Sequence, residues 1–219
     1  YVIIPAGSTK VDFTVTTIVD NTYEGSETVV ATISDATTTT TAGVVVDLDI
    51  TTDTATGTIV DDKDTLDDDA PTVSISVSPA EVAEGDNAGD EATMTYTVEL
   101  TNPSASDTKV YVDLSGQATE NADYTVSGLS SDANGSYVTI QAGENSVDFK
   151  VTTIVDNTYE GSETVVATIS NATTNGTESL VITTPSATGT IVDNDDTLDS
   201  DKPAVKIAAR AAIDAKRVV

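Results

Sequence analysis

The chain has 219 residues, 37 of them acidic against 9 basic, for a formal charge of −28 at pH 7. That balance argues against nucleic-acid binding and against adhesion to an anionic membrane, because both need Lys and Arg. With no Cys and no His, the sequence also lacks the means for disulfides, thiol or imidazole catalysis and most zinc or iron sites.

Aromatic content is 4%, with no Trp, and the apolar residues are mostly Val, Ile, Ala and Leu beside abundant Thr. A β-branched excess of this kind favours strands over helices. No stretch reaches the roughly 18 apolar residues of a membrane-spanning helix. Tyr1 already lies in a strand-like pattern, so the sequence reads as a piece of something longer, without a visible signal peptide.

An internal repeat organises the chain. Residues 15–34 and 151–170 are the same twenty letters, VTTIVDNTYEGSETVVATIS, and 29 of 36 positions agree when Tyr1 is set against Tyr137. The copies diverge in a loop (37–54 against 173–186) and rejoin at ATGTIVD, 55–61 and 187–193. Acidic linkers follow, and PTVSI at 71–75 is echoed by PAVKI at 203–207. Residues 1–66 are therefore expected to be the C-terminal half of one repeat, and 67–202 a complete repeat with its linkers. Residues 203–219 are either the start of the next repeat or a foreign tail. The half repeat, taken alone, leaves strand edges without partners. Either upstream residues or another chain would have to complete it.

In chain order, the complete repeat alternates with period two. Val73, Ile75 and Val77 alternate with serines, and Ala92, Met94, Tyr96, Val98 and Leu100 with Thr93, Thr95, Thr97 and Glu99. Val110, Val112 and Leu114 follow, then Val147, Phe149, Val151 and Val155 opposite Asp148, Lys150 and Thr152. Val165, Ala167 and Ile169 come next, and then the run around Ile191. Pro79, Asn102-Pro103, Gly116, Asn134-Gly135, Gly143, Gly161 and Asn175-Gly176 supply turns between the runs. Short strands, frequent turns and no helical period predict an all-β, immunoglobulin-like antiparallel sandwich in tandem repeats. The final IAARAAIDAKRVV (207–219) breaks the pattern and is assigned no function.

Acidic residues occur at four separated places in the repeat: Glu84 in VAEG, Asp123 in NADY, the turn Asp156 to Glu163, and the run from Asp193 through Asp196. Loops of a sandwich gather at its two ends, so these groups can converge. On residue type alone they are either solvated loop acids or ligands for a hard cation such as calcium, which takes six to eight oxygens. A general acid–base pair is disfavoured, since a glycoside-cleaving carboxylate pair needs a substrate cleft. Such clefts are usually walled by aromatics, and the chain has no Trp. No enzymatic activity is expected.

Four segments in order resemble the Calx-β repeat: PTVSISVSPAEVAEGD, ATENADYTV, YVTIQAGENSVDFKVTTIVDNTYEGSETVVATIS and ATGTIVDNDD. That family includes the regulatory domains of sodium–calcium exchangers and modules of large secreted bacterial adhesins. The resemblance implies a two-sheet sandwich with Ca²⁺ at one end. It implies ligands from Glu84, Asp123, Asp156, Glu160, Glu163, Asp193, Asn194, Asp195 and Asp196, with the carbonyl of Thr158 as a further candidate. The calcium sensors of the family carry three aspartates before the aromatic of the turn. Here those positions read Val155-Asp156-Asn157-Thr158, so at least one carboxylate is replaced, which implies one or two ions rather than a full cluster. The first copy offers Asp20, Glu24, Glu27, Asp61, Asp62 and Asp64, with Lys63 in the place of Asp195. It lacks counterparts of Glu84 and Asp123, so weak or absent calcium is expected there.

The resemblance and the near-identical copies together imply a calcium-stiffened extender of a bacterial surface or biofilm adhesin, secreted to the cell exterior. Its partners would be neighbouring repeats and other cell-surface molecules. Two alternatives are a calcium sensor acting on a partner and a carbohydrate-binding module using the variable loop.

Overall fold

The structure, a computed structural model, describes residues 1–60, 70–85, 88–156, 158–193, 203 and 205–207. The half repeat contributes β1 (Glu27–Thr32), β2 (Thr37–Thr39), β3 (Val45–Asp47) and β4 (Thr54–Ile59). The complete repeat contributes β5 (Thr72–Ser78), β6 (Glu81–Ala83), β7 (Thr93–Leu100), β8 (Thr108–Gly116), β9 (Tyr124–Ser127) and β10 (Ser130–Asp132). It continues with β11 (Gly135–Ile140), β12 (Ser146–Thr153), β13 (Glu163–Thr174), β14 (Glu178–Ser179), β15 (Val181–Thr184) and β16 (Ser186–Val192).

Two sheets make the sandwich. One runs β10-β11-β8-β13-β16-β6 with β14 beside β13, and the other runs β15-β5-β7-β12-β9. Most neighbours are antiparallel, but β15 pairs β5 and β16 pairs β6 in parallel, closing one edge of each sheet. The expected alternation is realised. Met94, Tyr96, Val98 and Leu100 of β7 point inward, as do Phe149 and Val151 of β12 and Val165, Ala167 and Ile169 of β13. The Val, Leu, Ile, Phe and Met side chains among these each contribute roughly 1.5–3 kcal/mol by leaving water. Tyr96 stacks on Phe149 with ring centroids 5.0 Å apart and planes 9° from parallel. Its hydroxyl then crosses the core to donate to the Val165 carbonyl at 2.8 Å.

The half repeat shows what that core requires. Val151-Thr152-Thr153 lies in β12, which is held between β7 and β9. The identical Val15-Thr16-Thr17 forms no strand and is exposed. Its would-be neighbours belong to the first half of a repeat, which residues 1–60 do not contain. Among the described residues β1, which matches the start of β13, pairs only β4, whereas β13 pairs β8 and β16.

Chain direction positions the ends of the sandwich. The first strand begins beside the 101–107 loop, where Thr101 N–H donates to the Thr72 carbonyl at 3.1 Å. The last strand, β16, finishes at the opposite end, beside Glu84. The acidic loops lie at that exit end.

Candidate metal centre

Four connections build the centre. β6 runs parallel to β16 with Ala83 opposite Val192, and Glu84 N–H donates to the Val192 carbonyl at 3.0 Å. This sets Glu84 beside Asp193. Gly85 then turns away with φ +93°, and a Cβ there would sit 2.7 Å from the Asp90 carbonyl oxygen, so the VAEG glycine is required by space as well as by backbone.

The 117–123 loop is pinned by Gln117 and Ala118 N–H groups, which share the Thr164 carbonyl at 2.9 and 3.1 Å. Asp123 closes the loop on itself: its Oδ2 accepts from Thr119 N–H at 2.5 Å. The Asp123 carbonyl accepts from Ile154 N–H at 2.8 Å, which docks the loop on the start of the acidic turn.

The turn between β12 and β13 is held from two sides. Glu84 Oε1 accepts the N–H of Asp156 at 3.1 Å, and Asp193 Oδ2 accepts the N–H groups of Glu160 and Gly161, both at 3.1 Å. Asp156 Oδ1 accepts from Thr158 N–H at 2.6 Å, an aspartate turn that shapes the local backbone.

Asp123, Glu160 and Glu163 consequently each bring a carboxylate oxygen within 4.8 Å of the other two. Oxygens sharing one calcium at ~2.3–2.6 Å stand no more than ~5 Å apart, so the spacing fits. Glu84 and Asp123 are buried. The ion pairs among the described residues, Lys10–Asp12 and Lys109–Asp132, involve none of these acids. Acids crowded without a cation resist ionisation. Glu163 is pushed up to about 7, first by burial and then by its hydrogen bond and repulsion with Asp123. Burial, then repulsion from Asp123 and Asp156, raises Glu160. Burial also raises Glu84, against the opposing Asp156 hydrogen bond. An all-carboxylate oxygen set suits a hard divalent cation, calcium or magnesium, and not a thiolate- or imidazole-seeking metal.

The structure thus brings together Glu84, Asp123, Asp156, Glu160, Glu163 and Asp193. Thr158 enters through its N–H, as donor to Asp156. Asn194, Asp195 and Asp196 lie outside the described residues, as do Asp61, Asp62 and Asp64 of the first copy. In that copy Asp20 repeats the local turn, accepting from Thr22 N–H at 2.9 Å, while Glu24 and Glu27 are exposed. Among the described residues, no acidic group of the first copy closes to metal-binding spacing. Thr153 is a support the sequence did not single out. It is buried, accepts from Ala92 N–H at 2.9 Å and donates to the Glu84 carbonyl at 3.2 Å. Its only signal was its place on the inward face of β12.

No curated protein matches the chain. Among solved structures it is similar to CBD12 from CALX1.2, at 16% identity and TM-score 0.41, over 56% of this chain and 44% of that one. It is also similar to the apo-form Calx CBD1 domain, at 16% identity and TM-score 0.40, over 57% of this chain and 99% of that one. A non-cellulosomal cohesin from the hyperthermophilic archaeon Archaeoglobus fulgidus is similar at 15% identity and TM-score 0.30, over 55% and 91%. The chain therefore spans less than half the length of the CBD12 structure. The Calx-beta domain model matches residues 2–63 and 67–195. On that match the chain belongs to the Calx-beta domain family.

Proposed function

We propose that the chain is a calcium-binding structural repeat of a long bacterial cell-surface or biofilm adhesin, in which Ca²⁺ rigidifies the domain and its junctions. The observation that carries this is the convergence of Asp123, Glu160 and Glu163 within 4.8 Å, braced by Glu84, Asp156 and Asp193 and, among the described residues, without a basic residue in ion contact. Asp123, Glu160 and Glu163 would hold the ion, with Glu84 beside them. When bound, calcium supplies the positive charge that this end of the sandwich lacks. The protein's own part is positional. Glu84 and Asp193 clamp the turn that joins the two sheets, so the acids from both sheets are presented together. The near-identity of the copies supports an array, in which each repeat touches mainly its neighbours. The role is extracellular and non-catalytic, with adjacent repeats as the principal partners.

Calorimetric titration of the full chain with calcium, paired with melting in calcium and in chelator, tests the proposal. Heat of binding and a higher melting temperature in calcium are expected. Absence of both would overturn it.

A further inference from the structure

The acidic turn of the first copy, 20–27, is held elsewhere. Tyr23 N–H donates to the Pro103 carbonyl at 3.0 Å, and Ala105 N–H donates to the Tyr23 carbonyl at 2.9 Å. Tyr23 and Ser104 form a parallel β-bridge. The Tyr23 hydroxyl reaches Glu178 Oε2 at 3.0 Å, and Asn175 Nδ2 donates to that same oxygen at 2.9 Å. Gly25 is buried, and a Cβ on it would meet Asn175 Nδ2 at 3.0 Å. The contact joins specific ends of two repeats. In the complete repeat the turn belongs to the metal end, whereas the 103–105 and 175–178 loops lie at the entry end, where Gly143 N–H donates to Ser104.

The same eight residues appear again at 156–163, where Tyr159 is 45% exposed. One turn sequence is thus seen in two settings. In the first, the tyrosine is half-buried against the following repeat. In the second, it is exposed at the metal end.

We propose that this turn is the joint of the array: its tyrosine docks on the 103–105 and 175–178 loops of the repeat that follows. The occupant of those loops is the turn of the preceding repeat in the same chain. Both main-chain hydrogen-bonding groups of Tyr23 are used, which fixes direction as well as contact. Glu178, held in place by the Asn175 amide, then accepts from the hydroxyl, so the site selects Tyr over Phe. The proposal rests on the array role above and does not depend on calcium.

The test uses the 219-residue chain, which has no native cysteine to interfere. Nitroxide labels on Thr41→Cys and Ser131→Cys, exposed positions in the half repeat and the complete repeat, report the distance between the two. A single narrow distance peak is expected. Tyr23→Ala is expected to lose that peak to a broad spread, Tyr23→Phe to show a partial loss, and Tyr159→Ala to leave it intact. A broad parent distribution, an unchanged peak in Tyr23→Ala, or equal broadening by Tyr159→Ala would each overturn the joint. Calcium heats measured on the same samples separate the two ideas. Missing heats with a Tyr23-dependent peak would remove the metal role and leave the joint standing.

Discussion

Glu84 Oε1 accepts the main-chain N–H of Asp156 at 3.1 Å, tying the strand-end of β6 to the acidic turn. Glu84→Gln keeps an oxygen acceptor there but removes a charge from a crowded, buried site. Opposite effects are therefore expected in two solutions. In chelator the variant melts at or above the parent, because repulsion with Asp156, Asp193 and Glu160 is relieved. In calcium it melts below the parent and binds the ion more weakly. A drop in both solutions would show that the charge at Glu84 is not opposed by its neighbours.

The pH dependence follows from Glu163. Its folded value of about 7 stands above the ordinary 4.5, so the unfolded chain gives up this proton first as pH rises. The contribution is full below about pH 4.5 and is lost as pH climbs through about 7. Glu160 and Glu84 are raised in the same direction. Metal-free protein is expected to melt progressively lower between these limits, and calcium affinity to strengthen over the same interval as the ligands lose protons. Melting curves in chelator and calcium titrations, each run across that range, check both halves. Metal-free stability that rises with pH would contradict the cluster's polarity.

The two turn aspartates separate the two copies. Asp156→Asn removes a carboxylate from the complete centre, and a fall in calcium affinity of roughly 10-fold or more is expected, at least the scale of losing a supporting group around a metal. Asp20→Asn, the same change in the same eight-residue sequence, is expected to leave affinity unaltered, because no described group in that copy closes to metal-binding spacing. Equal losses in the two variants would place a strong site in the first copy.

Tyr96→Phe tests the bond between sheets. The variant keeps the stack on Phe149 but loses the 2.8 Å hydroxyl contact with the buried Val165 carbonyl. A loss of about 1–2 kcal/mol in denaturant unfolding is expected, with calcium affinity unchanged. Phe149→Ala opens the core itself, and a loss of about 3–5 kcal/mol is expected from the same measurement.

Alternation made β7 and β12 legible in the sequence, because each is buried on one face and solvated on the other. β6 and β15 were not legible. They are short edge strands that owe their existence to parallel partners remote in sequence, and neither Glu81–Ala83 nor Val181–Thr184 carries a pattern of its own. The unlike fates of Val15-Thr16-Thr17 and Val151-Thr152-Thr153 set the same limit more sharply. One sequence is a core strand where β7 and β9 flank it and irregular where they do not, since strand preference is largely the preference for packed neighbours. At the centre, the acids themselves were visible as residue types. The hydrogen bonds that aim them, from Thr153 to Glu84 and from Glu160 and Gly161 to Asp193, depend on loop geometry that no spacing encodes.

The parallel pairing of β6 with β16 has a mechanical meaning. The chain enters the repeat through the β5–β6 arm and leaves it through β16, and these two arms run the same way where they meet. Tension along an array would pull them in opposite directions and load their ladder of backbone hydrogen bonds side by side, in shear. An antiparallel pair pulled from one end opens one bond at a time. Glu84 and Asp193 sit where this ladder ends, so a cation held there would act as a pin across the sliding surface, and chelation would lower the force at which the repeat gives way.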